Sequence, residues 1–149
     1  MDQFTVISSH SQTWMPVLKK DPVRPNITPM QRIASNRECF VVHEDIIVKA
    51  VLCCSYIGAI PKTEADILAD WNDFSIACFY SVWSNQKGYG KYILDRAMTH
   101  ISWNKLRVCR ALTLSPKTDM ARKFHLGNGA YFLQENEETI NYEYPLSKF

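Results

Sequence analysis

The stretch Ser81 to Leu94, SVWSNQKGYGKYIL, leaves an apolar run, crosses two glycines two positions apart, and enters a helical pattern. Upstream, Phe74–Val82 (FSIACFYSV) is the most apolar run in the chain and is bounded by polar residues, which predicts a central strand buried on both faces. Downstream, Ile93, Leu94, Ala97, Met98 and Ile101 recur at helical spacing, while Lys91, Asp95, Arg96 and Thr99 fall on the opposite side. Between strand and helix, Gly88 and Gly90 let successive backbone N–H groups point outward at the positive end of the helix dipole, a nest for an anion such as phosphate. A plain strand-to-helix turn with one left-handed glycine accounts for the same residues. The spacing and Gly-Lys-Ser/Thr ending of a P-loop are absent, as are the third glycine and following acid of a dinucleotide fingerprint.

Working outward, residues 3–8 read as a strand and 13–20 as a short helix with Pro16 in its early turns. The three prolines of DPVRPNITP, residues 21–29, predict an irregular surface segment, followed by a capping box at Thr28-Pro29-Met30-Gln31 and a short helix to about Ser35. Two β-branched runs in residues 38–55 predict a hairpin with His43-Glu44-Asp45 at its turn. Thr63 and Asp66 have capping-box spacing at the head of a short helix reaching Trp71. Residues 106–114 then read as a strand, 115–127 as a helix closed by Gly127, and 130–144 as two strands around Glu135–Glu138. This order predicts an α/β (α+β) fold with a mixed, mostly antiparallel twisted sheet flanked by helices.

The 149 residues fit one domain, 1–149, and a chain of this length buries about 68–70% of its unfolded surface without staples. Charged residues make up 21% and the net charge is +2, a balance that does not favour nucleic acid as a partner. No apolar run approaches the ~20 residues of a membrane span, and MDQFTVISSHSQ lacks the basic and apolar regions of a signal peptide, so a cytoplasmic protein is expected. Cys39, Cys53, Cys54, Cys78 and Cys109 show no C-x-x-C spacing and are expected as free thiols, with no metal site.

The loop Asn85-Gln86-Lys87-Gly88-Tyr89-Gly90 resembles the pyrophosphate loop of the GNAT acyltransferases, Gln/Arg-x-x-Gly-x-Gly/Ala, with Asn85 where that family prefers Gln or Arg. A later series, Ala121, His125, Gly129 and Ala130, resembles the family's Ala, Tyr and Gly-aromatic spacing, with His125 at the position of its general acid. FYSVWSNQKGYGKYIL, TLSP, FHLGNGA and NYEY, in that order, are similar to landmarks of the malonyl-CoA decarboxylase catalytic domain, a GNAT-fold enzyme, over residues 38–144. Here the long stretch between the decarboxylase's LSP and FH elements is reduced to Lys117–Lys123, and these residues contain no counterpart of its helical N-terminal domain.

The resemblance implies a GNAT-like fold and an acyl-CoA, acetyl-CoA or another, as co-substrate. It implies cofactor contacts at Val82, Asn85, Gln86, Lys87, Gly88, Tyr89, Gly90 and Lys91, and catalytic roles for Ser115 and His125. Ser115, ahead of Pro116, is also placed to be a helix N-cap, and His125 to be a hydrogen-bonded structural histidine. Acyl transfer to an unidentified small-molecule or protein acceptor is the first expectation, an amine being favoured. Decarboxylation of malonyl-CoA is the second, and a non-enzymatic coenzyme A-binding or interaction module the third. Glu38, Glu44 and Asp45 are candidate acceptor carboxylates, and a homo-oligomer stays open.

Overall fold

The computed structural model describes residues 1–146. Eight strands form one sheet: β1 (Gln3–Ile7), β2 (Arg37–Glu44), β3 (Ile47–Ile57), β4 (Ile76–Ser84), β5 (Arg110–Thr113), β6 (Ser115–Pro116), β7 (Tyr131–Glu135) and β8 (Thr139–Tyr144). The helices are α1 (Glu64–Leu68), α2 (Tyr89–Asn104) and α3 (Asp119–Gly127), with 3-10 turns at Met15–Lys20 and Met30–Arg32. The sheet runs β1-β2-β3-β4-β5-β8-β6, with β7 on β8, and every pairing except the parallel β4–β5 is antiparallel. The parallel pair is the one joined through a long helix, α2, as a crossover requires.

Both faces of the central strands are covered, so β3 and β4 are apolar in succession rather than in alternation. On one face Phe40, Leu52 and Phe79 meet Ile93, Leu94, Ala97 and Ile101 of α2, together with Tyr142 and Tyr144 of β8. On the other, Val41, Val51, Tyr80 and Leu112 pack with Ile67 of α1 and with Leu18 and Ile27. Each aliphatic side chain so buried contributes roughly 1.5–3 kcal/mol. Thr63 and Asp66 form the expected reciprocal cap of α1, and Thr28 and Gln31 bond each other's backbone N–H groups at 3.3 and 2.8 Å.

The structure corrects three readings. The segment 21–29 is irregular as expected but only partly on the surface: Pro22, Pro25, Asn26 and Thr28 are exposed, whereas Asp21, Arg24 and Ile27, with Arg32 just beyond, are buried against the sheet. Arg32, fully enclosed, donates to Asp21 Oδ2 at 2.6 Å and to the carbonyls of Arg24 and Ile27, while Asp21 Oδ1 accepts from the N–H groups of Val23 and Arg24. The prolines leave fewer backbone donors to satisfy, and the Arg32 guanidinium takes the Arg24 and Ile27 carbonyls, which helps irregular backbone to be buried. His43 lies within β2 rather than at its turn, because the hairpin reverses at Asp45 and Ile46; its ring packs at a tilt against Trp14 and bonds Thr5. Ser115 does not cap α3, which starts later: Thr118 Oγ1 accepts from the Ala121 N–H at 3.2 Å, and Ser115 is in β6 beside β8.

Breaking a buried ion pair on one side leaves the other charge uncompensated, at a cost of about 3–5 kcal/mol. Asp21→Ala is expected to lower unfolding free energy by about that much in urea titration; a loss of less than about 1 kcal/mol would show that Arg32 is satisfied by carbonyls alone.

Candidate functional site

β4 and β5 are paired from Ile76/Arg110 to Phe79/Thr113, and the Leu114 N–H still reaches the Phe79 carbonyl at 3.3 Å. Beyond that point they separate. Ser115 and Pro116 turn away to pair with Ile140 and Thr139 of β8, while β4 continues along β3 with Tyr80 as an extra, bulged residue: Phe79 faces Cys54 and Ser81 faces Cys53. Such a bulge re-aims the side chains and backbone around it. The wedge between the strands is a cavity of about 320 Å³, walled by Tyr80–Ser84 on one side and Leu114–Pro116 on the other, with Ala121, Phe124 and His125 of α3 above.

The glycine turn sits at one end of this wedge. Gly88 has φ of 87°, left-handed backbone that favours glycine, and a Cβ there would meet no atom within 4 Å. Gly90 is required for another reason: a Cβ would lie 2.8 Å from Cε1 of Phe124, so its absence lets α2 and α3 approach at the cavity mouth. The first N–H groups of α2 form the positive end of its dipole and have no intrahelical partner; that of Tyr89 donates to the Gln86 carbonyl in the turn at 3.3 Å. Gln86 and Lys87 are exposed beside them. Lys91 pairs with Asp95 at 2.7 Å on the exposed face of α2.

Asn85 is spent on the sheet, its side chain donating to the Val48 carbonyl at 3.1 Å and its N–H to that of Lys49 at 2.9 Å. Tyr89 is fixed by donating its hydroxyl to Asp2 at 2.6 Å, and Lys49 bonds both Asp2 and that hydroxyl. The hydrogen bond to Asp2, then that to Tyr89, raises the Lys49 pKa. The turn is thus anchored to β1 and β3 by side chains that do not themselves face the wedge.

Val82, Gly90, Ser115 and His125 border one cavity, and residues 85–91 form the turn leading from it. Ser115 Oγ is 2.7 Å from Thr113 Oγ1, which also accepts from the Tyr142 N–H at 3.1 Å. His125 Nδ1 is 2.6 Å from the Tyr144 hydroxyl, and the ring stacks on Tyr142 at a centroid distance of 5.5 Å. Ser115 and His125 therefore each engage a different neighbour and do not form a nucleophile–base pair. Burial pushes the His125 imidazole down to about 4, so the ring is neutral at neutral pH rather than near its ordinary value of about 6.5. Burial likewise raises Tyr144, keeping the phenol protonated.

The candidate acceptor carboxylates are elsewhere: Glu38 accepts from the Tyr56 hydroxyl at 2.6 Å, Glu44 pairs with the N-terminal amine and Lys49, and Asp45 occupies the hairpin turn. Sequence reasoning gave no site role to Arg24, and it marked Tyr142 and Tyr144 only as part of the NYEY landmark. For the tyrosines a signal existed, since Tyr142 and Tyr144 are two apart in a strand and share a face. Among the described residues no group of His, Cys, Asp and Glu is arranged to hold a metal ion, and no helix is long and apolar enough to cross a membrane. Cys39, Cys53, Cys54 and Cys78 are buried free thiols, and Cys109 is an exposed one.

No protein-family model matches the sequence, and no curated protein sequence matches it. Solved structures do resemble it. Malonyl-CoA decarboxylase from Agrobacterium vitis superposes with a TM-score of 0.81 at 15% identity, covering 99% of this chain and 61% of its own. The ribosomal-protein-S18-alanine N-acetyltransferase of Escherichia coli gives 0.70 at 10% identity, covering 100% and 96%. An N-acetyltransferase of Campylobacter jejuni gives 0.64 at 14%, covering 98% and 99%. The chain thus spans about three-fifths of the decarboxylase and nearly all of each acetyltransferase. The fold is GNAT-like, as the loop and the later motifs led one to expect.

The depressed His125 pKa has a measurable consequence. An unfolded imidazole takes its proton near pH 6.5 while the folded one does so only near 4, so the unfolded chain binds the extra proton in that window and stability falls as pH drops from about 6.5 to 4. His125→Gln should remove that component of the pH slope in urea titrations; an unchanged slope would show that His125 is not held neutral by burial.

Proposed function

We propose that the wedge between β4 and β5 takes an acyl-CoA, its pyrophosphate on the backbone of residues 86–91 and its thioester beside Ser115 and His125, and that the protein transfers the acyl group to an amine. The observation that carries this reading is one cavity touching Gly90 at the head of α2 and both Ser115 and His125. A helix N-terminus entered through a left-handed glycine suits phosphate, and the cavity's walls suit the narrow pantetheine arm. Lys87 adds positive charge next to the turn.

In the transfer the amine lone pair forms the new C–N bond, the thioester C–S bond breaks, and coenzyme A leaves as a thiol after receiving the proton that the amine gives up. In the tautomer that donates Nδ1–H to the Tyr144 hydroxyl, neutral His125 has an unprotonated Nε2 to take that proton and pass it to the thiolate. A buried neutral imidazole fits a base that collects the amine proton first. Ser115, hydrogen-bonded to Thr113, orients groups in the cavity wall rather than attacking.

The superposition on malonyl-CoA decarboxylase, with Ser115 and His125 in the same cavity, favours a second reading in which the malonyl C–C bond breaks, carbon dioxide leaves, and the enolate carbon takes the proton. Mass spectrometry of products from malonyl-CoA alone, and from acetyl-CoA with a pool of amines and peptides, separates the two. Acetylated amine with free coenzyme A is the expected result, cut about 10²–10⁴-fold in His125→Ala. Acetyl-CoA and carbon dioxide from malonyl-CoA would establish the second reading instead, and coenzyme A binding without either product would make this a binding module.

Placement of the phosphates is tested separately. Gly88→Val puts a branched side chain on left-handed backbone and is expected to weaken coenzyme A binding at least about tenfold in calorimetry, since re-forming the turn swings its N–H groups away. Parental affinity in a folded variant would remove the phosphates from this turn.

A further inference from the structure

Where β4 and β5 part, backbone carbonyls lose the partners that a continued ladder would have provided. Two of them, Tyr80 on β4 and Leu114 at the end of β5, are taken by a single side chain that belongs to neither strand. Arg24 donates from Nε to the Tyr80 carbonyl at 3.0 Å and from one terminal nitrogen to the Leu114 carbonyl at 2.6 Å. Its other terminal nitrogen donates to Glu64 Oε2 at 2.8 Å, and Glu64 is steadied by Asn26. The backbone of Arg24 is fixed as well: its N–H donates to Asp21 and its carbonyl accepts from Arg32. The side chain is 7% exposed, so the guanidinium is a buried spacer with its geometry set on every side.

The two bridged residues adjoin the reacting region. Tyr80 is the bulged residue of β4, and Leu114 precedes Ser115. An uninterrupted parallel ladder would give the Leu114 carbonyl an N–H from β4; here it takes Arg24 instead. We infer that Arg24 is a positioning residue: by bridging the Tyr80 and Leu114 carbonyls it holds the wedge open and leaves the β4 backbone at Tyr80–Val82 free to donate an N–H to the thioester carbonyl of a bound acyl-CoA. A donor fixed in advance, in a site with little water, stabilises the oxygen as charge develops on it. Lysine cannot replace arginine here, since one ammonium lacks the planar fork that meets two divergent carbonyls. The inference rests on the acyl-CoA reading above.

The test needs no knowledge of the acceptor. Acetyl-CoA labelled with carbon-13 at its carbonyl is bound to the protein and to its Arg24→Lys and Arg24→Gln variants, with affinity measured by calorimetry and carbonyl polarisation by isotope-edited infrared spectroscopy. In the parent the carbonyl stretch is expected to fall below its value in water. In the variants it should return toward the water value while affinity stays within about threefold, because the phosphate contacts at residues 86–91 are untouched. A general loss of structure would instead weaken binding and polarisation together. A carbonyl unshifted in the parent, or equally shifted in a folded variant, overturns the role of Arg24 and leaves acyl-CoA binding intact. If both variants fail to fold, Glu64→Gln, which weakens the third contact of the guanidinium, replaces them: a carbonyl stretch moved toward the water value supports the role of Arg24, and one identical to the parent's overturns it. No acetyl-CoA binding by the parent would remove the acyl-CoA reading and this inference with it.

Discussion

The parallel register between β4 and β5 lasts from Ile76/Arg110 to Phe79/Thr113 and then gives out, because β8 claims Ser115 and Pro116 while β3 keeps the rest of β4. A sheet that opens in its middle exposes backbone polar groups inside the molecule, and these need partners. The Asp21–Arg32 segment supplies them. Arg24, paired with Glu64, brings positive charge to the Tyr80 and Leu114 carbonyls, and Arg32, paired with Asp21, holds the Arg24 and Ile27 carbonyls and so fixes the segment that carries Arg24. The same segment packs Ile27 onto the sheet beside Leu18 of the preceding 3-10 turn, so the apolar core on that face and the opening depend on each other.

The two glycines of the turn serve different ends. Gly88 supplies left-handed backbone that starts α2 with its N–H groups outward, whereas Gly90 makes room for Phe124 and so brings α3 over the wedge. His125 follows Phe124 directly and is carried to the cavity by that contact. There it is enclosed by Tyr142 and Tyr144, which strip it of water and keep it neutral. The chemistry favoured is accordingly that of a neutral imidazole.

Much of the sheet was legible because its signals are local. The apolar run before Ser81, the glycines, and the helical spacing from Ile93 to Ile101 lie within a few residues of one another. Arg24 was illegible because its carbonyl partners are 56 and 90 residues away in the chain and are chosen by where the strands part, which no local pattern records. Residues 21–29 misled for the same reason: proline density is a sound sign of irregular backbone but says nothing of its burial. Ser115-Pro116 carried a genuine helix-start signal that pairing with β8 overrode, and His43 pairs with Val48 within the ladder, so the turn falls at Asp45 and Ile46. Ser115 and His125 were found through ordered motifs, but their partners Thr113 and Tyr144 depend on β5, β8 and α3 coming together.

The central claim is that phosphates rest on the turn at residues 86–91 and the acyl arm enters the opening beside it. The most direct measurement is a titration of isotope-labelled protein with coenzyme A followed by backbone amide resonances. The account predicts saturable shifts at residues 86–91 and along Tyr80–Ser84, with the early hairpin of β2 and β3 unmoved near Asp45 and Ile46. Saturable shifts confined to another surface, or none at millimolar coenzyme A, would contradict it.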